Sequence, residues 1–547
     1  MKFTQRSAAL IASGLAGAML LSACGGDDDG GSGASGDGSF SIYIGEPQNP
    51  LLPGNTAESE GNQVLDSLFT GLVRYDADAQ VQFTGVAESI ESEDSTTWTV
   101  TLNDGWTFHD GSAVDAQSFV DAWNYTAYSP NAQQNSYFFS NIAGYDDLQA
   151  PTDAEGNITG DPVASELSGL RVVDDLTFEV ELSAPYAQWP TTTGYTAFFP
   201  LPPAFFDDPA AFGEQPIGNG PFQAEEPFVP GAGGGITLTR FDDYAGDEPA
   251  NAGSVEYRVY TEVDTAYTDL QGGSVDIIDT LPPDALASAE AEFGDRFIET
   301  TYGDITSLSF PTYDERYADP RVRQAFSMAI DRQAISDAIF LGTRTPATSF
   351  ISPVVNGFRE DACDVCELNV EEANRLLDEA GFDRSQPVDL WFNAGAGHDA
   401  WMQAVGNQLR DNLDIEYVLR GDLPQAQILP LRREQGMTGP FRDAWIMDYP
   451  TPENFLGPLY STAAIGGSNY TFYSNPEFDA LLEEGNAAAT DDEAIELYQQ
   501  AEDILVRDMP SAPLFYRVNQ GAHSERVDNV IIDAFGRIDA AAVTIAG

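Results

Sequence analysis

TWTVTLNDGWTFHDGSAVDAQSFVDAWNY, from Thr97 to Tyr125, changes its hydrophobic period in mid-stretch. Trp98, Val100 and Leu102 alternate, the period-two signature of a half-buried strand. Asp115 then stands where it caps a helix, and Ala116, Phe119, Val120 and Trp123 recur on one helical face. The strand alternation returns at Leu176, Phe178, Val180 and Leu182. Strands interleaved with helices make this an α/β chain.

Working outward, Phe40–Ile44 reads as a first strand, followed by the turn-rich Gly45-Glu46-Pro47-Gln48-Asn49-Pro50. Glu58–Phe69 reads as a helix stopped by Gly71. Asp319-Pro320 is an N-cap with proline at the first helical position. Val322, Ala325, Phe326, Ala329 and Ile330 then form one apolar face, and Gly342 is expected to end that helix. Asn369 with Glu372 is a capping box for a helix packed through Ala373, Leu376, Leu377 and Ala380 and closed by Gly381. Val388–Phe392 and Ile415–Leu419 read as buried strands around a helix at Met402–Leu413. Late in the chain, PFRDAWIMDYPTPENFLGPL (Pro440–Leu459) holds too many β-formers, glycines and prolines for a helix, so a short strand ending in a Pro-rich loop is expected. Arg442, Trp445 and Asp448 recur there three residues apart. That spacing sets an aromatic face between a guanidinium and a carboxylate, which suits a ligand with an amine and a flat backbone. The plainer alternative is a strand end with a core tryptophan and two surface charges.

The front of the chain reads as an export signal. Lys2 and Arg6 precede the apolar run Ala8–Leu21, which is shorter than the ~20 residues of a membrane span. Leu21-Ser22-Ala23-Cys24 resembles a bacterial lipobox, so residues 1–24 are expected to be a lipoprotein signal with Cys24 lipidated. Residues 25–39, rich in Gly, Asp and Ser, read as a flexible tether. Cys363 and Cys366 are then the remaining cysteines. One Cys-x-x-Cys is half a tetrahedral zinc site, so a local disulfide is expected, a free thiol pair being the alternative.

About 500 residues remain after the leader, too many for one core, so two or three lobes are expected. Twenty-four basic against 88 acidic residues leave a formal net charge of −64. Such a charge repels nucleic acid and anionic lipid. It would attract cationic ligands, but 11% aromatic and 42% hydrophobic residues indicate a normal core with an acidic, soluble coat.

The run Thr97–Tyr125 also resembles the hallmark segment of the family 5 extracellular solute-binding proteins, the peptide receptors of ABC importers. Ile217–Phe222, Ala266–Asp279, Asp319–Ile335 and Trp445–Phe455 resemble further family segments in the family's order. The resemblance covers the chain from Phe40 onward. It implies a periplasmic-binding-protein-like fold of the class II type, two α/β lobes around a hinge plus an inserted lobe. Lobe I is then 40–74, 190–297 and 509–547, lobe II is 75–189, and lobe III is 298–508. The chain is expected to cross between the main lobes near Ile298–Thr301 and near Met509–Pro513, two crossovers that make a hinge.

The resemblance likewise implies the site. Asp448 would meet a peptide's α-ammonium, with Trp445 and Tyr449 walling it from water. Trp445 and Ile446 would pair with the peptide main chain. Arg442 and His398, the latter five residues after Asn393 at a strand end, would meet the α-carboxylate. Tyr137 and the Glu46-Pro47-Gln48 turn would supply walls. Each has a plainer alternative: His398 as an ordinary surface or core residue, Tyr137 as core, Arg442 neutralising Asp443 or Asp448. No cofactor or metal is expected, and the implied partners are a peptide, the permease subunits with their cytoplasmic ATPases, and the membrane through the lipid. The protein would work as a monomer on the outer face of the cytoplasmic membrane. Family members also take nickel, haem, glutathione, opines or sugars, which stay open as alternatives. An enzyme is disfavoured because His109, His398 and His523 lie in unrelated contexts and no nucleophile elbow, His-Glu-x-x-His helix or phosphate loop occurs. With 88 acids a carboxylate-based hydrolase stays on the list.

Anchoring has a direct test. Cys24→Ala should leave the protein unprocessed or release it from the membrane, read by fractionation and mass spectrometry of the N-terminus. A variant that is still processed and membrane-bound would remove Cys24 from this role.

Overall fold

The computed structural model describes residues 38–77, 79–152 and 158–546. The expected signal segment, Cys24 and nearly all of the tether lie outside the described residues. Ser39, counted with the tether, already pairs with Ser254 as the first residue of strand Ser39–Ile44.

Two hydrophobic cores organise the described chain. The first draws on residues 40–259 and on 527–543, so the segments expected as lobes I and II share one contiguous core. The second draws mainly on residues 305–516. One ladder of strands joins them. It runs from Tyr417–Arg420 through Val388–Trp391, Phe441–Ile446 and Asp304–Ser309 to the long strand Ser511–His523. It continues through Ile277–Ile278, Ser39–Ile44, Ser254–Val259 and Gly235–Arg240 to Phe222–Ala224. A separate four-stranded antiparallel sheet, in the order Ala87–Glu91, Thr97–Leu102, Thr177–Glu181, Leu170–Asp174, packs in the first core.

Most local elements follow from their caps. Asp115 accepts from Ser118 N at 2.9 Å, and the Ser118 hydroxyl answers the Asp115 N–H, starting helix Ala116–Ala127. Asn369 accepts from Glu372 N at 3.1 Å, and Gly381, at φ 66°, ends helix Val370–Ala380. Cys363 and Cys366 are joined by a disulfide.

Three expectations need correction. The helix begun by Asp319-Pro320 stops at Met328 instead of running to Gly342. Asp331 restarts a short helix, Arg332–Ile335, by accepting from Ala334 N. That break buries the Arg332 guanidinium, which donates to the carbonyls of Ser327 and Pro513. The Pro-rich loop after Ile446 is in fact a helix, Pro452–Tyr460, with Thr451 as N-cap and proline at its first position. Finally, the second crossing lies further on than Met509–Pro513. Ser511–Phe515 pairs with Asp304–Ser309 of the second core, and only Ala522–His523 reaches Ile277–Ile278. The passage is therefore Val518–Gly521, hydrogen-bonded antiparallel to Ile298–Thr301 of the other crossing strand. Met509, Ala512 and Leu514 through Tyr516, assigned to lobe I, belong to the second core.

The Gly218-Asn219-Gly220 turn needs glycine by proximity. A Cβ on Gly218 would stand 1.8 Å from the Leu68 carbonyl oxygen. Gly218→Ala should therefore destabilise the first core by ~1–3 kcal/mol or more. Gly272→Ala, where the nearest atom is 3.4 Å away and the backbone is helical, should be neutral or slightly stabilising. Denaturant unfolding of both variants checks the contrast.

Candidate functional site

Strand Phe441–Ile446 carries the candidate residues, and its pairing is lopsided. On one side it is paired with Asp304–Ser309 throughout. On the other it meets Val388–Trp391 only at Trp391↔Phe441. From Arg442 onward that second edge has no ladder partner among the described residues. Such an edge is where an extended chain adds as one more strand.

Asp448 follows the strand, and Asn454 fixes it. Asn454 is 1% exposed, and its side-chain oxygen accepts from both the Trp445 indole N–H at 3.1 Å and the Asp448 N–H at 2.9 Å. One carboxamide thus locks the tryptophan and the aspartate into a single arrangement. The Asp448 carboxylate gets only a long contact, 3.5 Å, from Asn454 Nδ2. Among the described residues it has no cationic partner. Desolvation, against the small opposing pull of Asn454, pushes its carboxyl up to about 7. Asn454 lies in the helix that the residue pattern concealed. Its signal was present in Thr451-Pro452-Glu453, a cap, a proline at the first position and an acid in the first turn.

Aromatic groups crowd this carboxylate. Burial and the Asp448 charge push the Tyr137 and Tyr195 hydroxyls up. Tyr137 stacks on Phe138 at 4.4 Å, and Phe138 on Tyr195 at 4.3 Å. Tyr137, on the first core's side, is 53% exposed and so is not a core residue. Tyr449 is turned to another task. Its hydroxyl donates to Glu453 at 3.2 Å, and Tyr186 from the first core reaches the same carboxylate at 3.4 Å. Glu453 has its carboxyl pushed up by burial. This Tyr–Glu–Tyr contact joins the two cores beside the site.

Arg442 does not neutralise Asp443 or Asp448. Asp443 is taken by the buried Arg432 at 3.3 Å. Arg442 has no ion pair among the described residues, and its buried Nε lacks a hydrogen-bond partner. His398 lies within the electrostatic reach of Arg442 and is pushed down to about 4, by burial first and then by that cation. Its Nδ1 accepts from the Trp401 indole N–H at 3.2 Å. A tryptophan only donates, so the neutral ring carries its proton on Nε2, as a donor for an incoming anion. Asn393 is buried, with its side-chain oxygen unpaired. Ile446, 46% exposed, projects from the open strand.

The Glu46-Pro47-Gln48 turn makes its hydrogen bonds on the first core's side. Glu46 accepts from Gly231 N at 2.9 Å and Gln48 N donates to Glu58 at 3.1 Å, so the turn is tied within its own core. Among the described residues, no cluster of three or more His, Cys, Asp or Glu side chains could hold a metal ion, and no helix is long and apolar enough to cross a membrane.

An open strand edge thus lies between a cation and a carboxylate that have no ion-pair partner among the described residues. The family model described as "Bacterial extracellular solute-binding proteins, family 5 Middle" matches residues 83–467, more than half of the chain. The chain belongs to this family. Among the relatives of this solute-binding protein is the oligopeptide-binding protein OppA of Bacillus subtilis, 26% identical over 545 residues, covering 95% of this chain and 96% of that one. The periplasmic murein peptide-binding protein MppA of Escherichia coli is 27% identical over 465 residues, covering 84% and 83%. A solved structure of MppA in its unliganded open form superposes with a TM-score of 0.80 at 23% identity, covering 94% and 98%. The solute-binding protein therefore has the family's two-lobed α/β fold.

Asp448 should titrate near pH 7 in the empty protein, visible as a carboxyl band in infrared difference spectra that Asp448→Asn removes. Because the Asn454 contact lowers this pKa, Asn454→Ala should move the titration upward. An ordinary carboxylate titration near pH 4 would refute the desolvated assignment.

Proposed function

We propose that this solute-binding protein is the lipid-anchored receptor of an ABC importer for short peptides. It captures them between its two cores and hands them to the permease subunits and their cytoplasmic ATPases. The observation that carries this reading is the pairing of an open strand edge with Asp448, a desolvated carboxylate lacking any cation. A peptide added beside Ala444–Ile446 would pair with the backbone groups still open there whatever its side chains are, since Arg432 already donates to the Arg442 carbonyl and the Ala444 N–H to Asp443. Its α-ammonium meets Asp448, and its α-carboxylate meets Arg442 and His398 Nε2–H. Arg442 and Asp448 stand six positions apart, at most ~20 Å along an extended chain, so a peptide of about six residues or fewer spans them.

The receptor turns nothing over, and binding does the work. A ligand that touches both cores favours the closed arrangement by its differential contacts. Twisting at the paired crossing segments Ile298–Thr301 and Val518–Gly521 supplies the motion. The permease then recognises a closed, monomeric receptor on the outer face of the cytoplasmic membrane.

The amine anchor gives the decisive test. In the enclosed site an unpaired ammonium carries a desolvation penalty of several kcal/mol. Asp448→Asn should therefore cost ~3 kcal/mol, about a hundredfold in affinity. N-acetylation of the peptide should cost the wild type a similar amount and the variant much less. The sign of the pH effect follows from the raised pKa. The empty site is protonated below about 7, and a cationic ligand favours the ionised form. Binding should release a proton and weaken as pH falls below 7, by up to tenfold per unit. Calorimetry in two buffers of different ionisation enthalpy measures both. Equal affinity for free and acetylated peptides would replace the peptide with an amine-free solute.

A further inference from the structure

One sheet face in the second core is cationic, in a chain whose formal net charge is −64. In an antiparallel ladder, directly opposed residues share a face and the face alternates along each strand. Arg442 lies opposite Leu308, Ile446 opposite Asp304, and Phe515 opposite Thr306. Arg517, two residues beyond Phe515, is on that same face, and Arg344 lies directly opposite Arg517. The first turn of helix Asp399–Leu413 covers this face, with the Trp401 ring 6.2 Å from Phe515 and 5.8 Å from His398.

The anions present are already engaged. Asp304, 2% exposed, accepts from Arg517 N at 2.7 Å and from its guanidinium at 3.2 Å. Asp443 is held by Arg432. Asp399, at the rim, is exposed to solvent. Arg344 donates to the Thr343 carbonyl at 2.6 Å and lies 5.2 Å over the Phe340 ring, with no carboxylate partner among the described residues. Arg442 has none either. Three guanidiniums, Arg344, Arg442 and Arg517, thus share this face with one inner carboxylate, Asp304, which leaves two cations over, while Asp443 and Arg432 pair on the opposite face. Like charges directly opposite on neighbouring strands repel, so the Arg344–Arg517 pair weakens the empty protein. Burial, then repulsion by Arg517, pushes Arg344 down to about 10.

A peptide's α-carboxylate offsets only one of the two spare charges. We infer that the solute carries a second anionic group, held between Arg344 and Arg517 while Arg442 and His398 take the first. The ligand class is a short peptide with an acidic residue at or next to its C-terminus. A carboxylate there receives charge-assisted hydrogen bonds from two guanidiniums and removes their mutual repulsion. This rests on the peptide reading above, and its test separates the two.

Calorimetry on the purified exported protein compares Ala-Ala-Glu with its neutral isostere Ala-Ala-Gln. The glutamate peptide should bind about thirtyfold more tightly. Arg344→Gln should erase that preference by weakening Ala-Ala-Glu far more than Ala-Ala-Gln, because Arg344 holds no carboxylate among the described residues. Arg344→Lys should restore part of it. Equal affinities of the two peptides for the wild type would overturn the inference while leaving the peptide receptor standing, and that comparison decides even if the variants do not fold. If neither peptide binds, the peptide reading fails, and glutarate, two carboxylates without an amine, decides instead. Thermal stabilisation of the wild type by glutarate, lost in Arg344→Gln, would support the cationic site. No effect of glutarate in that case would overturn it.

Discussion

Strand Ser511–His523 belongs to both cores, and the rest of the structure depends on its pairing. Every backbone N–H and C=O it buries needs a partner. It finds them in Asp304–Ser309 and Arg344–Pro346 at one end, and in Phe297–Thr301 and Ile277–Ile278 at the other. The two cores therefore cannot separate without breaking that ladder. The ladder narrows to two strands at Val518–Gly521 against Ile298–Thr301.

The cleft beside this strand holds charges under conditions that disfavour them. Asp448 keeps one weak donor, and Arg442 keeps an unpaired buried nitrogen. Isolated buried charges are costly, and a fold optimised only for stability would pair these two. Their positions on the strand keep them apart, and Arg432 occupies the nearest carboxylate, Asp443. The scaffold thus maintains a separated cation and anion on either side of an unpaired strand edge. On the proposed reading, a ligand with complementary ends would relieve both penalties at once.

Charge distribution repeats this contrast over the molecule. Acidic residues coat the exterior, where they act on solubility and long-range repulsion. The face carrying Arg344, Arg442 and Arg517 opposes that field locally. Any anion approaching the protein meets net repulsion at a distance, and guanidinium contacts act on it only at short range, where screening by salt is weakest.

By itself the sequence determined what short-range chemistry controls. Asp115, Asp319 and Asn369 cap their helices, Gly381 closes one, and the alternation at Trp98–Leu102 makes a strand, because capping and pleating act over a few residues. The family segments, read in order, carried the architecture. Where a local signal was outweighed by another, reading it failed. The prolines of Pro450–Pro458 concealed a helix that Thr451 and Pro452 in fact begin, and Asp331 ends early a helix that apolar periodicity would have continued. Tertiary structure alone decided which charges are paired. Arg517 takes Asp304 across 213 positions of chain, while Arg432 takes Asp443 and Asn454 binds Trp445 and Asp448 together between neighbouring elements. Whether a carboxylate is solvated, paired or stranded depends on everything packed around it, and that is set only when separate strands meet in one sheet.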